Sequence, residues 1–65
     1  MNITKYKQAK NELKLISNWA KELHVDDKPI VRMLINDNCY YLCKEYNLSD
    51  KKQNLLHDYA CVLHP

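Results

Sequence analysis

The sequence predicts an all-α fold, a compact three-helix bundle, on three observations. The 65 residues contain no Gly and only two Pro, so the Asn-Gly and Asp-Gly turns that close β-hairpins are absent. Apolar residues recur at three- and four-residue intervals along most of the chain, the spacing that lines one side of a helix. Two short stretches, His24–Lys28 and Asn47–Asp50, break that period with turn and capping residues. The helices are expected over about 4–24, 27–47 and 49–63, within a single small helical domain spanning 1–65.

The first helix starts near Thr4, with Asn2 or Thr4 as its cap. Tyr6, Ala9, Leu13, Ile16, Ala20 and Leu23 form its apolar face, which Trp19 extends. Lys7, Lys10, Lys14 and Lys21 make a ridge within a sector of about 60°, with Ser17 between them. A solvated face accounts for such a ridge. Contact with phosphates or an acidic surface is the functional alternative.

The second helix spans Asp26–Asn47 and organises the rest. Asp26 or Asp27 caps it, and Pro29 fits its first turn, where a missing N–H costs nothing. At about 100° per residue it carries two apolar stripes. One holds Val31, Ile35, Cys39, Leu42 and Tyr46, with Cys43 at its edge; the other holds Ile30, Leu34, Tyr41 and Leu48. A helix apolar on so much of its circumference is normally buried. It is therefore expected in the middle of the bundle, or with one stripe left for a partner. Asn36, Asp37 and Asn38 compete with helical hydrogen bonding and mark the place for a kink. The apolar period runs through them without a change of phase, which favours continuity.

Ser49 caps the third helix, and Asp50 suits its positive end. Leu55, Leu56, Tyr59, Val62 and Leu63 are expected inward, with His57, Cys61 and His64 on the other side and Pro65 closing the helix.

Composition narrows the function. Ten basic against eight acidic side chains leave +2, too little for general polyanion binding. The positive charge is concentrated early: residues 1–23 carry five Lys and two Glu, a net of +3. Three Cys, an odd number with no secretion signal before them, favour free thiols in a reducing cytoplasm. No apolar run approaches the roughly 20 residues of a membrane span. Without Gly, phosphate-cradling loops of the P-loop and Rossmann kinds are excluded. The short Lys-, Asn- and Tyr-rich chain, beginning with its own Met, has the make-up of small accessory proteins of phages and plasmids.

Four constellations remain. Cys39 and Cys43 are four apart, as are His57 and Cys61, and two such pairs on facing helices have the spacing of a tetrahedral zinc set. Cys is also buried for plain packing reasons, and His57 and Cys61 lie opposite the apolar stripe, so the expectation is no metal and no cofactor. A Cys61–His57 nucleophile lacks an orienting third group, and no enzyme activity is expected. A helix-turn-helix drawn across Pro29–Ile35 and Asn38–Asn47 gives a recognition segment poor in base-reading residues. The opening TKYKQAKNELKLI resembles the start of plasmid RNA-binding helical-hairpin proteins, with Thr4, Lys5 and Asn11 in similar places. Its turn comes too early and the rest of the chain does not follow, so no property is carried over.

Met33 and Tyr40 lie outside both stripes of the second helix, flanked by Asp37 and Lys44. An apolar pair rimmed by opposite charges has the anatomy of a small interface centre. The functional expectation is a non-catalytic module, an inhibitor or adaptor that docks this side on a larger protein, such as a host protein, with a homodimer as a further partner. The alternative is an RNA- or DNA-binding regulator using Lys7, Lys10, Lys14 and Lys21.

Overall fold

The computed structural model describes the backbone of residues 2–64 and the side chains of residues 4–64. It is an all-α three-helix bundle of α1 (Asn2–Leu23), α2 (Lys28–Glu45) and α3 (Asp50–Leu63). Thr4 lies inside α1 rather than at its cap. The Asn2 side chain and Pro65, also named as helix ends, lie outside the described residues.

Local chemistry sets the boundaries of α2. Asp27 is the N-cap, its Oδ1 accepting from the Ile30 N–H at 3.2 Å. The helix then runs unbroken through Asn36–Asn38. Asn38 turns its amide back onto the Leu34 carbonyl at 2.8 Å, so the competing side chain is absorbed without breaking the helix. The helix ends at Glu45, two residues earlier than expected. Asn47 takes φ 50°, the Leu48 N–H donates to the Cys43 carbonyl at 3.0 Å, and the Asn47 N–H donates to the Lys44 carbonyl at 3.1 Å. This is a Schellman termination with Asn in the place Gly usually takes, and it folds Leu48 into the core. Ser49 caps α3 as expected, accepting from the Lys52 N–H at 3.4 Å.

Every helix packs against both others. The second helix is therefore one corner of a triangle rather than a middle layer. The core joins Ala9, Leu13 and Ala20 of α1, Val31, Ile35, Cys39, Leu42 and Cys43 of α2, Leu48, and Leu56 and Ala60 of α3. The small side chains of Ala9, Ala20 and Ala60 let the helices approach closely. Ser17 is fully buried rather than on the lysine ridge, and its Oγ has no hydrogen-bond partner among the described residues. The helical period explains the change: Ser17 stands four residues from Leu13 and three from Ala20, on their side.

Helix length decides what the core cannot cover. At about 1.5 Å per residue, α1 is about 33 Å long and α3 about 21 Å; the long dimension of the molecule is 38 Å. Lys10 of α1 lies over the Tyr59 ring, and Lys52 of α3 lies over the Tyr6 ring, at 4.7 and 5.2 Å. These contacts seat α3 against the first half of α1. His64, just past the end of α3, meets Asn36 midway along α2, with Nε2 and Oδ1 2.9 Å apart. Beyond that level α1 and α2 continue as a pair. Trp19 and Leu23, expected on the buried face, are exposed; the helical period sets them on the flank of α1 opposite Tyr6 and Lys10, away from α3. On α3 itself, Leu55 and Val62 were expected inward and are exposed, on the flanks of a face centred on Leu56 and Ala60.

Candidate functional site

A row of exposed apolar side chains lies on the α1–α2 pair. Leu15, Trp19 and Leu23 are spaced four apart along α1 and are 67 %, 52 % and 58 % exposed. Tyr6 and Lys10, which touch α3, mark one flank of α1; the helical period puts Trp19 and Leu23 on the opposite flank. On α2, Cys39 and Asn36 face α3, whereas Ile30, Leu34 and Tyr41 fall on the other side of the buried stripe. Ile30 and Leu34 are half-buried and Tyr41 is 59 % exposed. Both rows therefore border the α1–α2 seam on the side away from α3, and exposed Val25 extends them at the connection. The second stripe of α2 was legible in the sequence. The α1 row was missed because Leu23, with Trp19 extending it, was placed on the apolar face and Leu15 on no face; the four-residue repeat was the available signal.

The Met33–Tyr40 side expected as an interface is exposed, as are Asp37 and Lys44. Tyr40 is not free, however. Its ring stands edge-on to His57 with centroids 4.8 Å apart. It lies on the α3 side of α2, separated from the larger apolar face by Asp37 and Lys44.

Of the lysine ridge, Lys7, Lys14 and Lys21 are exposed. Lys10 is half-buried over Tyr59, a cation–π contact that occupies its charge within the bundle. The ridge therefore presents three exposed lysines rather than four.

The cysteine–histidine set is partly assembled. Cys39 and Cys43 are buried on α2, and His57 of α3 faces them, not the opposite side as its position in the apolar pattern suggested. Cys39 Sγ lies 3.5 Å from Nδ1 of His57. One ligand atom from each of Cys39, Cys43 and His57 falls within 4.8 Å of the other two. Cys61, one turn beyond His57 on α3, is exposed and stands outside this trio. Burial pushes the Cys39 thiol up to about 12, and nearby Cys43 and Cys61 add to the effect; burial raises Cys43 as well. A thiol held protonated at neutral pH is a poor nucleophile, so this grouping does not present an activated cysteine.

Among the described residues no pocket forms, and no helix is long and apolar enough to cross a membrane. The chain matches no protein family, no curated protein and no solved structure.

Proposed function

We propose that this protein is a non-catalytic protein-binding module, an inhibitor or adaptor that docks on a larger protein in a reducing compartment such as the cytoplasm. The observation that carries the reading is the exposed row of Leu15, Trp19 and Leu23 beside Tyr41 on the outer side of the α1–α2 seam. Trp and Tyr dominate interface energetics because they bury large areas at little entropic cost. The occupant we propose is the apolar side of an amphipathic helix on the partner, laid along the seam opposite α3. Charge supports an apolar occupant over a polyanion: Lys5, Glu12 and Glu22 on α1, and Asp37 and Lys44 on α2, border the face with mixed signs.

Affinity capture with the immobilised full chain, followed by titration of the retained protein, tests this. Trp19 is the only tryptophan, so its emission reports occupancy directly. Trp19→Ala is expected to weaken binding by about 2 kcal/mol, roughly thirtyfold, while helical content and thermal midpoint hold, as exposed truncations allow. Equal affinity in Trp19→Ala and Tyr41→Ala overturns the docking face. Loss confined to Tyr40→Ala moves docking to the Met33–Tyr40 side. A concentration-dependent dimer that Trp19→Ala abolishes makes a second copy the occupant and removes the larger partner.

A further inference from the structure

We infer that Cys39, Cys43, His57 and Cys61 form a structural zinc site that clamps α2 to α3. The geometry comes first. Zinc–sulfur bonds of about 2.3 Å and zinc–nitrogen bonds of about 2.0 Å put tetrahedral ligand atoms about 3.5–3.8 Å apart. Cys39 Sγ and His57 Nδ1 already stand 3.5 Å apart, and Cys43 completes a trio whose ligand atoms all lie within 4.8 Å of one another. Side-chain rotation of about an ångström closes such a trio around an ion. Two donors come from one helix at a four-residue spacing and one from its neighbour, so the backbone fixes their approach.

The fourth position follows from α3. Cys61 is four residues after His57 and therefore projects on the same side of that helix. It is exposed, so it can swing over the trio and close it, and it gives the ion its way in. Tyr40 stands edge-on to the His57 ring at 4.8 Å and holds that ring in place from the outer side. Three thiolates and one imidazole make a soft, tetrahedral donor set that suits zinc and disfavours magnesium or calcium, which need oxygen ligands. With four protein ligands no position is left for water or substrate, so the site is structural rather than catalytic. On binding, each of the three thiols passes its proton to solvent as its S–Zn bond forms, and no electron is transferred.

Such a clamp suits this chain. A domain of this size buries only about 60 % of its unfolded surface and is marginal alone, and zinc energy in a small fold is folding energy. The clamp also adds a tie between α2 and α3 to the packing of Leu56 and Ala60 and the His64–Asn36 contact.

The test uses the reduced, metal-stripped full chain titrated with cobalt(II) and then zinc(II). One equivalent of cobalt should bind with the visible d–d absorption and thiolate charge transfer of a tetrahedral sulfur-rich site, and zinc should displace it. Zinc at about a hundredfold excess over its Kd should raise the thermal midpoint by more than about 10 °C. Cys61→Ser removes an exposed side chain and keeps the fold; it should lower zinc affinity at least tenfold and shift the cobalt spectrum to fewer thiolates. Folded, metal-free chain that takes up no cobalt at micromolar concentration overturns the site. An unchanged cobalt spectrum in Cys61→Ser overturns Cys61 as the fourth ligand. Loss of cobalt in His57→Gln with helical content retained confirms the nitrogen donor; retention of the full spectrum refutes it.

Discussion

Ser17 shows how a single atom carries consequences. Its hydroxyl is fully buried in α1 with no hydrogen-bond partner among the described residues, and an orphaned buried polar atom costs about 1–3 kcal/mol. Ala at the same place removes the orphan, fits among Leu13 and Ala20, and has the higher helix propensity. Ser17→Ala is therefore expected to stabilise the fold by about 1 kcal/mol, or a midpoint rise of about 4–8 °C for a chain of this size. Urea unfolding with an unchanged m-value would check it; destabilisation would mean that the hydroxyl holds an unrecognised partner. His57 makes the complementary point. Its imidazole is drawn to the Cys39 thiol at 3.5 Å, a contact that the apolar pattern of its own helix gave no reason to expect.

At the scale of elements, the ends are governed by side chains close in sequence. Asp27 and Ser49 each supply the oxygen that a helix N-terminus lacks. The end of α2 rests on Asn47 at φ 50°, a conformation that costs residues other than Gly about 1–2 kcal/mol and that Asn tolerates better than most. Asn47→Gly is expected to be neutral or slightly stabilising, whereas Asn47→Val should cost about 1–2 kcal/mol, because a β-branched side chain fits that region worst. Thermal unfolding of the two variants decides it; equal midpoints would show that the turn does not hold this geometry in solution. The same termination places Leu48 in the core, so the cost of Val would be felt in packing as well as in the turn.

For the whole molecule, unequal helix length is the governing fact. α3 covers the first half of α1 and leaves the outer part of the α1–α2 pair two helices wide. The long, narrow shape of 38 × 16 × 16 Å follows from it; the exposure of Leu15, Trp19, Leu23 and Tyr41 follows instead from their place on the side of the α1–α2 seam away from α3. Charge at this scale is weak. The net is +2, and with Lys10 held over Tyr59 three exposed lysines remain on the ridge. Binding to duplex nucleic acid should therefore show a log–log salt slope no steeper than about −3 and vanish at physiological salt. A titration by fluorescence anisotropy checks this; sub-micromolar binding at that salt would restore the nucleic-acid reading.

The sequence by itself determined that the chain is all-α, that it has three helices, and where each begins and ends to within about two residues. Those properties are local: caps, the apolar period and the lack of Gly act over a single turn or connection. It also showed Met33 and Tyr40 as exposed, and left two readings of the second stripe of α2, buried in the middle of the bundle or free for a partner; the structure buries Leu48, half-buries Ile30 and Leu34 and exposes Tyr41. Only the tertiary structure decided that Ser17 lies inside, that Trp19 and Leu23 lie outside, and that His57 meets Cys39 and Cys43. Each of these depends on how far each helix is turned about its axis and how far along its neighbours it reaches. Those quantities come from packing three helices of different length against one another, and no stretch of one helix contains them.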